Sequence, residues 1–193
     1  MSDVLRATIE ESIATKQRLL ARCLPDIQAL CDLAVRCLRG GGKLLLCGNG
    51  GSACDAAHAA GELIGTFEDK GRKGYAATAL GHEVPALTAV ANDMSYEQIF
   101  SRQLEALGRR GDLLIGYSTS GTSKNVVAAL RTAREMGLHT AALTGERMST
   151  CAELADVTVR VPSTNTARIQ ESHLLCSHML CAAVETALAG ERR

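Results

Sequence analysis

Residues 43–65, KLLLCGNGGSACDAAHAAGELIG, decide the fold. The run Lys43-Leu44-Leu45-Leu46 is apolar without polar alternation, and a glycine turn follows it directly. A strand buried on both faces reads this way, and the turn then feeds a helix. The same rhythm repeats downstream. Apolar runs at 43–47, 75–80, 112–117, 139–143 and 157–161 alternate with helical stretches at about 52–65, 95–107, 122–136 and 168–188. Such alternation predicts an α/β fold, a doubly wound three-layer αβα sandwich around a five-stranded parallel sheet. Upstream, 3–22 and 26–39 read as two amphipathic N-terminal helices, broken at Pro25 and stopped by Gly40-Gly41-Gly42. Residues 66–74, TFEDKGRKG, read as a polar, mobile loop.

The 193 residues are most economically one domain, 1–193, with a substantial core. Lys+Arg and Asp+Glu number 21 each, so net charge gives no global reason to expect nucleic acid as a partner. The eight cysteines form no CxxC pair and no zinc-finger spacing, and most sit in apolar stretches, as free buried thiols do. A reduced, cytoplasmic setting follows from that usage. The polar start MSDVLRATIEES lacks the apolar core of a signal peptide, and no apolar run approaches membrane-spanning length.

In doubly wound sheets ligands bind beyond the carboxyl ends of the strands, and two loops expected there stand out. Gly48-x-Gly50-x-x-Ala53 matches a dinucleotide fingerprint, with Glu83 the nearby acidic partner for a ribose. No Lys follows the glycines, so it is not a P-loop. As a plain tight turn it would have Ser52 as the helix cap. The second loop, Ser118-Thr119-Ser120-Gly121-Thr122-Ser123, packs hydroxyls between a strand end and a helix start. Hydroxyls, free backbone N–H groups and a positive helix end together suit a phosphate dianion. A nucleophile elbow is excluded, because position 120 is Ser where that motif needs Gly.

His58 and Glu62 lie one helical turn apart, a spacing that serves a shared metal, a proton-transfer pair or a simple solvated hydrogen bond. On the last helix, Gln170, His173 and His178 sit among apolar neighbours and need partners if buried. Gln170 and His178 are separated by about 12 Å of helix, so sharing one ion demands an irregular helix start or ligands from two protomers. Spacing alone leaves the choice between His173 and His178 open.

The stretches GNGGSACDAAHAAGEL, AVANDMSYEQIFSRQL, STSGTS and TARIQESHLLCSH, in this order and spacing, resemble the bacterial sedoheptulose-7-phosphate isomerases (phosphoheptose isomerases) of the sugar isomerase (SIS) fold. The resemblance runs from the first helix to about residue 188. It implies an aldose–ketose isomerase that interconverts sedoheptulose 7-phosphate and D-glycero-D-manno-heptose 7-phosphate. It further implies one Zn²⁺ per subunit, a homotetramer with sites between subunits, and no nucleic-acid or membrane partner. By position, Ser118, Thr119, Ser120 and Ser123 resemble the phosphate cradle. Asn49, Gly50, Gly51 and Ser52, with Asn92, Asp93 and Gln170, resemble the remaining substrate contacts. His58, Glu62, Gln170 and His178 resemble the zinc ligands, and Glu62 and His178 the acid/base pair.

Two departures from the family pattern stand out. After Glu62 a basic residue and an Arg-Pro loop are common in relatives, whereas here Ile64-Gly65-Thr66-Phe67 leads to Lys70-Gly71-Arg72-Lys73-Gly74. Arg72 or Lys73 is then the expected source of a substrate-facing charge. Asn165 also stands where relatives often have Asp. The alternatives are an isomerase of another phosphosugar and a non-catalytic SIS scaffold of the type that binds a replication initiator. The scaffold predicts loss of the metal and acid/base residues, and all four are present.

Overall fold

The structure, a computed structural model, describes residues 1–189. Its five strands are β1 (Leu44–Gly48), β2 (Ala77–Ala79), β3 (Leu113–Ser118), β4 (His139–Gly145) and β5 (Val157–Val161). They form one all-parallel sheet in the order β2-β1-β3-β4-β5. Leu44 pairs with Leu113 and Gly48 with Tyr117, so β1 and β3 end level. Chain order reverses between these two strands, which makes their carboxyl ends the switch point where a crevice opens.

Helices cover both faces, as near-continuous apolar strands require. On one side α1 (Ser2–Arg39), α2 (Gly51–Ile64) and α7 (Thr166–Leu188) pack on Leu44, Leu46, Ile115 and Leu143. The other face presents Leu45, Cys47, Leu114 and Ala142 to α4 (Ser101–Leu107) and α5 (Lys124–Glu135). Adjacent leucines of β1 thus feed opposite cores, the expected two-residue alternation of a strand. Seven of the cysteines are buried, Cys54 is exposed, and all are unpaired thiols. No described helix is long and apolar enough to cross a membrane.

Three expectations change. The N-terminal segment is a single helix with Pro25 inside it, not two helices. Leu19, Cys23, Ile27, Leu30 and Ala34 form one buried stripe across the proline. Each large apolar side chain in such a stripe contributes about 1.5–3 kcal/mol on burial, enough together to outweigh the roughly 3 kcal/mol that an internal proline costs. The helical stretch 95–107 resolves into a 3-10 turn at Tyr96–Gln98 and α4, preceded by α3 (Val84–Asp93). The nearly uniform apolar run VPALTAVA hid α3, since it lacks the polar contrast that marks a helix face. A short α6 (Thr150–Leu154) also precedes β5.

The third change is the loop 66–74, which is tied down. The Glu185 carboxylate on α7 accepts from the backbone N–H groups of Phe67, Glu68 and Asp69, each at 3.0 Å. It also pairs with Arg72.

Candidate active site

α2 carries His58 and Glu62 on one face, and α7 packs alongside with His178. His58 Nε2 lies 2.9 Å from Glu62 Oε1 and 3.1 Å from His178 Nε2, and the third side of this triangle is 3.5 Å. Zinc bonds of about 2.05 Å at tetrahedral angles put neighbouring donors about 3.3 Å apart. The three separations bracket that value. Two imidazole nitrogens and a carboxylate oxygen are also the donor chemistry that zinc accepts, so the residues fit the ion.

The surroundings have features that a merely solvated pair would lack. Glu62 Oε2 is buried without a hydrogen-bond partner among the described residues. Cys181 on α7 is its neighbour, and burial together with the Glu62 charge pushes that thiol's pKa up. Leaving a carboxylate oxygen unpaired is costly, and such cost concentrates at functional sites. Asp55, one turn before His58, has its carboxyl pushed up to about 6 by burial, an effect that the His58 charge opposes. Phe67 stacks on the His178 ring at 5.8 Å and 26°. The guanidinium of Arg72 donates to the carbonyls of Glu62 and Leu63. Thus one buried ion pair, Arg72–Glu185, holds both the end of α2 and the loop that carries Phe67.

His173 is elsewhere. It is fully buried, its Nε2 donates to the Thr144 carbonyl at 3.3 Å, and its ring meets Tyr117 edge-on. Burial lowers its pKa to about 4, so it is a neutral core histidine. Gln170 is not beside the triad either. Its carboxamide lies against Gly51, where an added Cβ would be 2.7 Å from Gln170 Nε2. Gly51 precedes His58 by two helical turns, about 10 Å. Within one chain, then, three of the four expected ligands converge and the fourth stands off.

The glycine turn works differently from a capped turn. Gly50, at φ 56, is the N-cap of α2, while Ser52 falls within the first turn and is buried. The hydroxyl loop lies across the switch point. Ser118 Oγ meets Ser123 Oγ at 2.8 Å and Ser120 Oγ at 3.5 Å, and receives the Gly121 N–H at 3.1 Å. Ser123 is the N-cap of α5, yet its side chain caps no N–H among the described residues. The first turn of α5 therefore points donors into the loop. Thr119, Ser120 and Thr122 line a cleft of about 390 Å³ together with Arg147, Ser163 and Thr166. Asn92 and Asp93, at the end of α3, are exposed and hydrogen-bond each other at 2.7 Å. Glu83 stands at the start of that helix.

Both family departures find a physical reason. Arg72 is committed to Glu185, to three carbonyls and to the Tyr75 ring, so it is not a substrate-facing charge. Asn165 caps α7 by accepting the Ala167 N–H at 3.0 Å, while its Nδ2 donates to Glu11 of α1 at 3.1 Å. An Asp could cap the helix but could not donate to Glu11. Sequence reading assigned no role to Phe67, Tyr96, Asn125 and Glu185. No local motif marks them, since their partners are remote in the chain.

Fold and site together define a doubly wound α/β protein in which three donors able to hold a metal converge, and whose switch point carries a hydroxyl-rich loop. The SIS domain family matches residues 9–145. A phosphoheptose isomerase from a Roseiflexus species is 48% identical over 183 residues, spanning 95% of this chain and 92% of the relative. Another, from Geotalea daltonii, is 49% identical over 169 residues and 88% of each chain. The solved phosphoheptose isomerase GmhA of Neisseria gonorrhoeae superposes with a TM-score of 0.90 at 40% identity, covering 96% of this chain and 98% of that one. The chain belongs to the SIS-domain family and, within it, to the phosphoheptose isomerases, which are enzymes.

Proposed function

We propose that this phosphosugar isomerase interconverts sedoheptulose 7-phosphate and D-glycero-D-manno-heptose 7-phosphate through an enediol, at the entry to activated-heptose synthesis. The observation that carries the reading is the convergence of His58, Glu62 and His178 to within 3.5 Å of one another. Moving a proton between C1 and C2 needs one group to take it from carbon and another to serve the oxygens. Glu62 takes the first role and His178, held by the Phe67 stack, the second. A Zn²⁺ held by His58, Glu62 and His178 supplies Lewis-acid stabilisation of the charge that develops on the substrate oxygens. Ser118, Thr119, Ser120 and Ser123 anchor the phosphate, so that remote binding aligns the reacting carbons.

Gln170 completes the site from a subunit contact, in a homotetramer. Unpartnered apolar surface supports that assembly. Ile9, Ile13, Leu20 and Leu24 form an exposed stripe along α1, adjoining its buried one. None of the described residues of α3 is buried, although most are apolar.

The test follows aldoheptose 7-phosphate by NMR after incubation with sedoheptulose 7-phosphate, with chelator and then zinc added in turn. Product that disappears with chelator and returns with zinc is expected. Absence of product with zinc present would overturn the substrate assignment. Sedimentation velocity of the same sample reads the oligomer.

A further inference from the structure

Asn49 and Asn125 face each other across the switch point as a reciprocal carboxamide pair. Asn49 Nδ2 donates to Asn125 Oδ1 at 2.9 Å, and Asn125 Nδ2 donates to Asn49 Oδ1 at 2.8 Å. Asn125 lies in the first turn of α5 and is 3% exposed. Its Oδ1 also accepts the Val126 N–H at 3.0 Å, one of the donors that the first turn of a helix leaves unpaired. That N–H fixes which end of the Asn125 amide is oxygen, and reciprocity then fixes Asn49. The Tyr96 hydroxyl must therefore donate to Asn49 Oδ1, at 3.0 Å.

We infer that Asn125 and Tyr96 are positioning residues: they clamp the Asn49 side chain and so set the distance between the glycine turn and the hydroxyl loop. The inference rests on the isomerase reading for its kinetic consequence but not for its physical one. Asn49 Oδ1 already accepts two hydrogen bonds and one Nδ2 hydrogen is spent, so the side chain has little left for a sugar. What Asn49 offers is its place: the backbone of Asn49-Gly50-Gly51 is held at one end of the substrate while Ser118–Ser123 hold the phosphate at the other. Gly50 and Gly51 supply conformational freedom and space, and the carboxamide pair takes away the mobility that two glycines would otherwise bring.

The experiment compares the zinc-loaded parent with N125L, N125D, Y96F and the double variant Y96F/N125L. Hydrogen exchange of the segment 48–53 is measured by mass spectrometry. N125L should speed exchange there about tenfold or more while β3 and β4 keep their protection. Inorganic phosphate inhibition should change less than about threefold, whereas kcat for the heptose phosphate falls about 10- to 100-fold, the scale of an ångström-sized misplacement. N125D keeps the acceptor and should fall between N125L and the parent. Y96F should slow turnover in the parent background and have no further effect beside N125L, because both act through Asn49.

Unchanged exchange at 48–53 overturns the clamp, as does weakening of phosphate inhibition in step with kcat, which would place Asn125 in the phosphate site itself. Additive effects of Y96F and N125L overturn it too. If the parent does not turn over the heptose phosphate, the substrate assignment fails, and the exchange data alone decide the clamp.

Discussion

Replacing Glu185 with alanine should loosen the active site from a distance. The side chains of Arg72 and Glu185 are only 6% and 8% exposed, so the variant strands a buried guanidinium. It also strands the three backbone N–H groups that bond the carboxylate at 3.0 Å. Removing one partner of a buried ion pair costs about 3–5 kcal/mol, because the other charge is left uncompensated. Urea denaturation of E185A, R72A and the double variant measures this directly. The double variant should be more stable than the sum of the single losses predicts, with a coupling of about 2–3 kcal/mol. Freed of its anchor, Phe67 leaves the His178 ring, so zinc affinity should fall in E185A. The carboxyl of Glu185 sits at about 2, against an ordinary 4.5, because Arg72 and the loop N–H groups favour its charged form despite burial. A depressed carboxylate pKa means that its stabilisation is fully present above 4.5 and is lost as pH falls from there toward 2. The stability gap between parent and E185Q should thus be flat above pH 5 and close below 4.5. A loss under about 1 kcal/mol in E185A, or additive losses in the double variant, would refute the reasoning.

Three further outcomes are expected. His173, lowered from 6.5 to about 4 by burial, stays neutral in the fold, so stability should decline as pH falls from 6.5 toward 4, and H173Q should remove that decline in pH-dependent denaturation. N165A should lose about 1 kcal/mol with the cap of α7, while N165D keeps the cap and loses only the exposed bond to Glu11, about 0.5 kcal/mol or less by urea titration. Gly121 sits at φ 68 with Ser149 where a Cβ would go, so G121A should cost about 2–4 kcal/mol in the same titration and weaken inhibition by inorganic phosphate.

The parts of the molecule that sequence reveals are those built from short-range regularity. Five short apolar-rich runs, those of the central strands without alternation, imply a sheet covered on both faces, and the strands lie where those runs are. Their hydroxyl- and glycine-rich ends mark the crevice for the same reason: only strand-to-helix turns need such residues together. Pro25 misled because local propensity was weighed without the buried stripe that runs through it. The polar loop 66–74 misled in the opposite sense. Its composition describes a solvated segment, yet its backbone donors end on a carboxylate more than a hundred residues away.

That distance explains why the supporting shell was invisible. Glu185 holds Phe67, and Asn125 holds Asn49 from 76 residues away. Each link is a single polar side chain satisfying groups that burial would otherwise leave unpaired, and no periodicity records it. Yet these links set the precision of the site. A metal triad needs His178 at one ring orientation, and a substrate gripped at both ends needs its two loops at one separation. The reacting residues can be named from a motif. What fixes their geometry has to be found by asking where each buried donor and acceptor goes. Gln170 answers that question the other way: its carboxamide lies against Gly51, two helical turns from His58, so within this chain it does not join the triad.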